Sequence, residues 1–282
     1  MSVSVFTADL NALREDITEG RVALPGVPRI LAHVREELAR PEPEPRRLAD
    51  CIRQDPGVSA YVIKMANSVA VRGDVDTGTV SGALQRLGLD LTGVLVTNYS
   101  LMQMVHRIRG PYRSSVLELY RHSREVAVHC HALARSCARL NSERALLAGL
   151  LHDIGKLVTL HFASGKPELR EDWRRLEQLL DEGHPDVGAA LLRVWRFPEA
   201  VVAAVEAHEN WIRETDDGEV DLADVVIAAQ LDLRRDSDHP MAELAACRVP
   251  SLERLGLPPD VAFGDWPPFA RWHERSRQLL AV

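Results

Sequence analysis

Between Ala148 and Leu157 the chain reads Ala-Gly-Leu-Leu-His-Asp-Ile-Gly-Lys-Leu, an apolar run broken only by His152, Asp153 and Lys156. An ionised carboxylate buried without a partner is expensive, so Asp153 must meet a cation or several hydrogen-bond donors. On a continuous helix adjacent residues point about 100° apart. His152 and Asp153 can then share one metal ion only if it lies between their directions and other helices complete its shell. The doublet alone is a weak metal signal. Distant histidines strengthen it: His122 in Tyr120-Arg121-His122-Ser123, His184 in Glu182-Gly183-His184-Pro185, and His208 near the end of a helix that starts at Pro198. Imidazole and carboxylate together suit a divalent transition metal such as iron, manganese or zinc. Lys156 has two readings. Lysine occurs only as Lys64, Lys156 and Lys166, so the one beside the doublet is either the charge partner of Asp153 or one more solvated amine.

The elements that carry these residues are predicted to be helices. Apolar residues recur at helical spacing throughout and strand-like alternation is scarce, which gives an all-α fold. Leu10, Leu13 and Ile17 mark a first helix ending at Gly20, and Val27 to Leu38 a second, stopped by Pro41, Pro43 and Pro45. The next stripes end at Asp55-Pro56, at Asn67-Ser68 and at Gly88, a helix-terminating glycine. An apolar helix from Leu91 to Val105 is closed by Gly110-Pro111. A long helix is predicted over roughly 113–139, and Asn141 or Ser142 caps the helix that contains the doublet. Further helices are expected over roughly 171–181, at Val187–Val194, Ala200–Ala207 and Leu222–Leu233, and finally at Phe269–Leu280. Gly110-Pro111 suggests a boundary between an N-terminal helical subdomain, 1–110, and a second, 111–235, with 236–282 as a C-terminal extension.

Composition narrows the function classes. With 282 residues, 46% of them apolar, the chain can bury a sizeable core. A net charge of −7 opposes non-specific nucleic-acid binding, which needs a basic surface to displace counterions. No apolar run approaches the roughly 20 residues that span a bilayer, and no secretion signal is evident. The four cysteines include no C-x-x-C pair, and Cys130 and Cys137 read as small core residues. The expectation is a cytoplasmic protein with neither DNA nor membrane as partner.

The order of short motifs carries a family resemblance. Leu24-Pro25-Gly26-Val27-Pro28, Asp55-Pro56, Met65-Ala66-Asn67-Ser68, Ala83-Leu84-Gln85-Arg86-Leu87-Gly88, Gly149 through Lys156, and Gly183-His184 through Trp195-Arg196-Phe197-Pro198 follow one another. Together they resemble the HDOD domain, a signalling relative of the HD-GYP phosphodiesterases within the HD superfamily of metal-dependent phosphohydrolases. The resemblance covers roughly residues 17–235. It implies an N-terminal helical bundle packed on an HD-like bundle, occurrence in bacterial signalling proteins, and no catalytic activity. It also implies ligand positions: His122 as the first HD ligand, His152 and Asp153 as the doublet, and His184 and His208 as later histidines. One position departs. Where HD enzymes supply a final aspartate, this chain aligns Gln230. Asp232 lies about 200° around the helix from it, and Asp224 faces a third direction. The Gly-Tyr-Pro motif of the enzymatic relatives is not found.

An amide in place of a carboxylate cannot neutralise charge, and a paired-cation hydrolytic centre needs anionic ligands. Three functions follow from the resemblance and this departure. The first is a non-catalytic regulatory or protein-interaction module with a degenerate site holding at most one metal ion, where Lys156 and Gln230 contact a ligand. The second is a metal-dependent phosphodiesterase or phosphohydrolase. The third is a binding protein for a nucleotide second messenger. Signalling proteins are the expected partners, and a homodimer is compatible with the sequence.

Overall fold

The computed structural model describes residues 3–21, 29–71, 73, 75–137, 140–215, 218–235, 249–257 and 262–280, and among them every regular element is helical. The Leu24–Pro28 motif lies outside the described residues. Local sequence sets most helix starts. Asp55 Oδ1 accepts from the Val58 amide at 3.0 Å to open α4 (Pro56–Ala66), and Thr79 Oγ1 accepts from Gly82 at 3.1 Å to open α5 (Val80–Arg107). Gly88 breaks α5 with φ 76°, a conformation that costs glycine little. Helices α2 (Arg29–Leu38), α3 (Pro45–Arg53) and α4 pack with α5 as one bundle.

The second bundle begins with the long α6 (Arg113–Cys137), against which α7 (Ser142–Leu151) lies along much of its length. Asn141 caps α7, its Oδ1 accepting from Arg144 at 2.8 Å. After α7 come α8 (Ile154–Ser164), α9 (Pro167–Glu171) and α10 (Trp173–Gln178), a π-helical turn Leu179–Gly183, α11 (His184–Val194), α12 (Glu199–Ala207) and α13 (Leu222–Arg234). The helix expected over 171–181 is split because Asp172 leaves helical backbone and caps α10. The first helix, α1 (Val3–Thr18), starts earlier than the sequence suggested and packs on α11. Two short elements, α14 (Pro250–Leu255) and α15 (Pro267–Leu279), lie against α13 and α6 respectively. The stretch Ser142–Ser164 meets the length and composition of a membrane span, unlike the expectation from apolar runs, yet most of it is buried inside the protein.

Glycines set the spacing of the second bundle. A Cβ on Gly155 would lie 1.9 Å from the His184 carbonyl oxygen and 2.8 Å from the Gly188 amide nitrogen. A Cβ on Gly149 would lie 2.7 Å from Ala127 Cα. Helices α8 and α11 therefore meet backbone to backbone, and the glycine after the doublet has a packing cause. Gly155→Ala is expected to push α11 outward and cost about 2–3 kcal/mol, read as a lowered midpoint in urea. An unchanged midpoint would show that the contact yields freely.

Helix α15 closes over α6 through a buried pair. His131 Nδ1 donates to Ser276 Oγ at 2.7 Å, and that hydroxyl donates to the Trp272 carbonyl, also at 2.7 Å. Burial, with the charges of Arg135 and Arg275, pushes His131 down to about 4. The unfolded chain binds this proton near the ordinary histidine value of about 6.5. Between those values the unfolded state carries more protons, so stability falls as pH drops from about 6.5 toward 4. His131 is expected to account for about 2 kcal/mol of that loss by pH 5. His131→Gln keeps a donor and removes the titration, so its denaturation midpoints between pH 5 and 7.5 should vary less than those of the parent. Parallel pH curves would refute the assignment.

Candidate metal centre

The residues singled out in the sequence converge where α6, α7, α8, α11 and α12 meet. His122 comes from α6, and the doublet sits between α7 and α8. His184 opens α11, and His208 caps the C-terminus of α12. Here the structure corrects one expectation. The doublet is not inside a continuous helix: the chain turns at His152-Asp153, with Asp153 at φ −97° and ψ 14°. The break removes the 100° separation, and His152 Nε2 lies 3.3 Å from Asp153 Oδ2. Both side chains face one site.

The imidazoles are oriented by backbone. His152 Nδ1 donates to the Gly149 carbonyl at 2.8 Å, and His208 Nδ1 to the Val205 carbonyl at 2.6 Å. Each bond turns a bare Nε2 into the site, the tautomer that ligates metal. His184 Nε2 lies 3.1 Å from His208 Nε2, 3.2 Å from Asp153 Oδ1 and 3.5 Å from Glu209 Oε1. Burial lowers His184, but hydrogen bonds to Asp153 and Glu209 outweigh it and raise its pKa. Its Nε2 is therefore hydrogen-bonded to His208 and flanked by two carboxylates. Burial and the neighbouring His152 hold His122 at about 3, and burial, only partly offset by the nearby Asp153 carboxylate, holds His208 at about 4. Both are neutral imidazoles at neutral pH. Burial pushes the Asp153 carboxyl up, yet His152, the Lys156 ammonium and the bond from His184 hold it well below the usual carboxylate range.

Two sets of potential ligand atoms lie within 4.8 Å of one another, His122 with His152 and Asp153, and Asp153 with His184, His208 and Glu209. Asp153 belongs to both. Glu209 was missed by the sequence reading, although His208-Glu209 repeats the histidine-acid pairing of the doublet. Burial raises Glu209, but His184, His208 and Lys156 bring it to about 2. The donor set fits a divalent ion on direct grounds. His122 Nε2 and His152 Nε2 are buried with no hydrogen-bond partner among the described residues, and a buried bare nitrogen is costly unless a ligand meets it.

Lys156 resolves to one of its two readings. Its Nζ sits 2.9 Å from Asp153 Oδ1 and 4.0 Å from Glu209 Oε1, so it is the charge partner of the doublet. Gln230, on α13, is fully buried, and both of its amide atoms lack a hydrogen-bond partner. Its neighbouring acids do not reach the centre. Asp232 Oδ1 accepts from the Phe263 amide at 2.9 Å, and Asp224 is tied to Arg213, Ser251 and Arg254. His129 lies apart, with its ring centroid 4.6 Å from that of His273.

The centre is buried except on the side of Glu209 and Lys156, which are 24% and 19% exposed. His152, His184 and His208 have essentially no exposed surface and Asp153 only 2%. The described cavity that reaches Asp153 holds about 10 Å³, room for roughly one water molecule.

Comparison with known proteins places this geometry. The HDOD domain pattern matches residues 24–211. A ribonuclease Y of Pelobacter propionicus is 29% identical over 225 residues, which cover 79% of this chain and 37% of that protein. The chain spans less than two fifths of the length of the first curated relatives it matches. Among solved structures, a Shewanella amazonensis protein provisionally described as a metal-dependent phosphohydrolase superposes with a TM-score of 0.76. It is 23% identical and matched over 99% of this chain and 100% of its own. An HDOD domain protein of Geobacter sulfurreducens, of unknown function, gives a TM-score of 0.64 at 22% identity, over 96% of this chain and 98% of its own. These likenesses establish the helical fold.

Proposed function

This chain belongs to the HDOD family, and from that premise we propose that it is a non-catalytic signalling module whose histidine-aspartate centre holds at most one divalent ion. One observation carries the reading: His152, Asp153, His184 and His208 are buried, Glu209 alone of the Asp153-His184-His208-Glu209 group is partly exposed, and the cavity beside Asp153 has room for about one water rather than a phosphodiester. Charge supports it. Asp153 and Glu209 bring two negative charges and the Lys156 ammonium cancels one, so a single divalent ion is nearly balanced and a pair is not. Gln230 adds no charge. The centre then acts as a clasp joining α6, α8, α11 and α12, and the module works through contacts with signalling proteins in a bacterial cytoplasm, as a monomer or homodimer, without DNA or membrane.

A second reading is favoured by Glu209. The carboxylate missing from α13 is partly replaced by Glu209 beyond the end of α12, and two ligand groups share Asp153. Under this reading the chain is a metal-dependent phosphohydrolase. A bound divalent ion would act as a Lewis acid on a phosphoryl oxygen, while His152 and His208 would hold it and Lys156 would orient an anion.

One experiment separates the two. The full chain is purified without added metal, its iron, manganese and zinc are counted by mass spectrometry, and bis(p-nitrophenyl) phosphate turnover is followed with manganese or iron supplied. One ion per chain or fewer, with no turnover, is the expected result. Two ions with turnover that disappears in His152→Ala would establish the hydrolase.

A further inference from the structure

A second cavity lies away from the histidine-aspartate centre, between α6 and α15, with a volume of about 490 Å³. Its charge is opposite to that of the whole chain. Arg121, Arg124 and Arg277 line it against one lining carboxylate, Glu125, with Asp232 Oδ2 a further 3.7 Å from the lining His129 Nε2, in a protein of net charge −7. Arg124 is anchored by donating to the Leu280 carbonyl, which leaves its Nε buried without a partner. Arg121 and Arg277 form no ion pair among the described residues, and both are exposed at the cavity edge. Guanidinium groups left unpaired around a concave site are suited to bidentate contact with phosphate.

The remaining wall is largely apolar, with the His129 and His273 rings meeting edge to face at 69°. The ring centroids of His129 and His273 lie 4.6 Å apart, and Phe269 stacks on His273 at 5.2 Å with planes 22° apart. His129 Nδ1 donates to the Glu125 carbonyl at 3.0 Å, which fixes its ring. Burial holds His129 below its ordinary value, and burial with the charge of His129 holds His273 at about 4. His273 is thus neutral at neutral pH and offers its ring beside the edge of His129. Val128, Leu233 and Leu280 complete the apolar side. The volume falls within the roughly 300–1,000 Å³ of small-ligand pockets.

We propose that this cavity binds a nucleoside phosphate, the arginines holding the phosphate and the imidazole-leucine wall receiving the base. A sugar phosphate would need more hydroxyl-binding carboxylates than Glu125 alone provides. The site stands independently of the metal centre, because none of its lining residues belongs to either ligand group. Occupancy would bridge α6, which carries His122, to α15, so the two sites share one helix.

Calorimetric titration of the full chain with AMP, GMP, adenosine and inorganic phosphate tests the assignment. A mononucleotide is expected to bind roughly tenfold or more tightly than phosphate or adenosine. Arg121→Ala and Arg277→Ala, both at exposed positions, should each weaken it roughly tenfold, while Asp153→Asn should retain it. No heat from any of the four probes overturns the proposal. So does mononucleotide affinity unchanged in Arg277→Glu, which places a carboxylate against the phosphate. Phosphate binding as tightly as AMP overturns the nucleoside assignment.

Discussion

Asp153→Asn is expected to abolish divalent-metal binding, with affinity reduced more than about 100-fold, since even outer-shell partners of metal ligands are worth 10–100-fold. The reason is topological as well as electrostatic. Asp153 is the one residue common to both ligand groups, so its loss disables both, whereas His122→Ala disables only one. Lys156 Nζ and His184 Nε2 also lie 2.9 and 3.2 Å from Asp153 Oδ1. Without its charge, the Lys156 ammonium faces an uncharged amide, and a cation entering the site meets repulsion. Glu209→Gln should weaken binding much less, because Glu209 is 24% exposed and water replaces part of what it supplies. Equilibrium dialysis with manganese or zinc reads all three variants. Equal losses for Asp153→Asn and Glu209→Gln would mean that the centre is not organised around Asp153.

Asp224→Ala is expected to destabilise the protein by about 3–5 kcal/mol, a large share of the roughly 5–15 kcal/mol that holds a domain folded. Asp224 is fully buried at the start of α13. Its Oδ1 accepts from Arg213 Nη1 at 2.9 Å, Arg254 Nη2 at 2.6 Å and Ser251 Oγ at 2.8 Å. Its Oδ2 accepts from Arg254 Nε at 3.0 Å and from the Asp221 amide at 3.2 Å, completing a capping box. Burial raises its pKa, but the bonds from Arg254 and Ser251 hold it below the ordinary value. Alanine would leave two guanidinium groups without their shared carboxylate and would remove the reciprocal half of the capping box on the helix that carries Gln230. Urea denaturation measures the loss. A change under about 1 kcal/mol would mean that water takes over the role of the carboxylate. The same bonds explain why this acid cannot serve the metal centre.

Where the sequence succeeded, the information was local. The cap expected at Asn141 or Ser142 is made by Asn141, whose side chain bonds the amide three residues ahead, and apolar spacing marked most of the helices. The identities of His122, His152, Asp153, His184 and His208 were legible because imidazoles recurred in an apolar setting. Glu209 was legible in principle, as the acid beside His208. It was passed over because an acid near a helix end is ordinarily solvated.

The sequence by itself determined an all-helical chain and the inventory of nitrogen and oxygen donors available to a metal. Tertiary structure alone decided that the chain breaks at Asp153, so that both doublet residues face one centre, and that Glu209 and Lys156 join it while Asp224 and Asp232 turn to other partners. Caps and helical periods act within about four residues. The convergence of these side chains depends instead on how closely α8 and α11 approach, which the bare backbones of Gly155 and Gly188 permit.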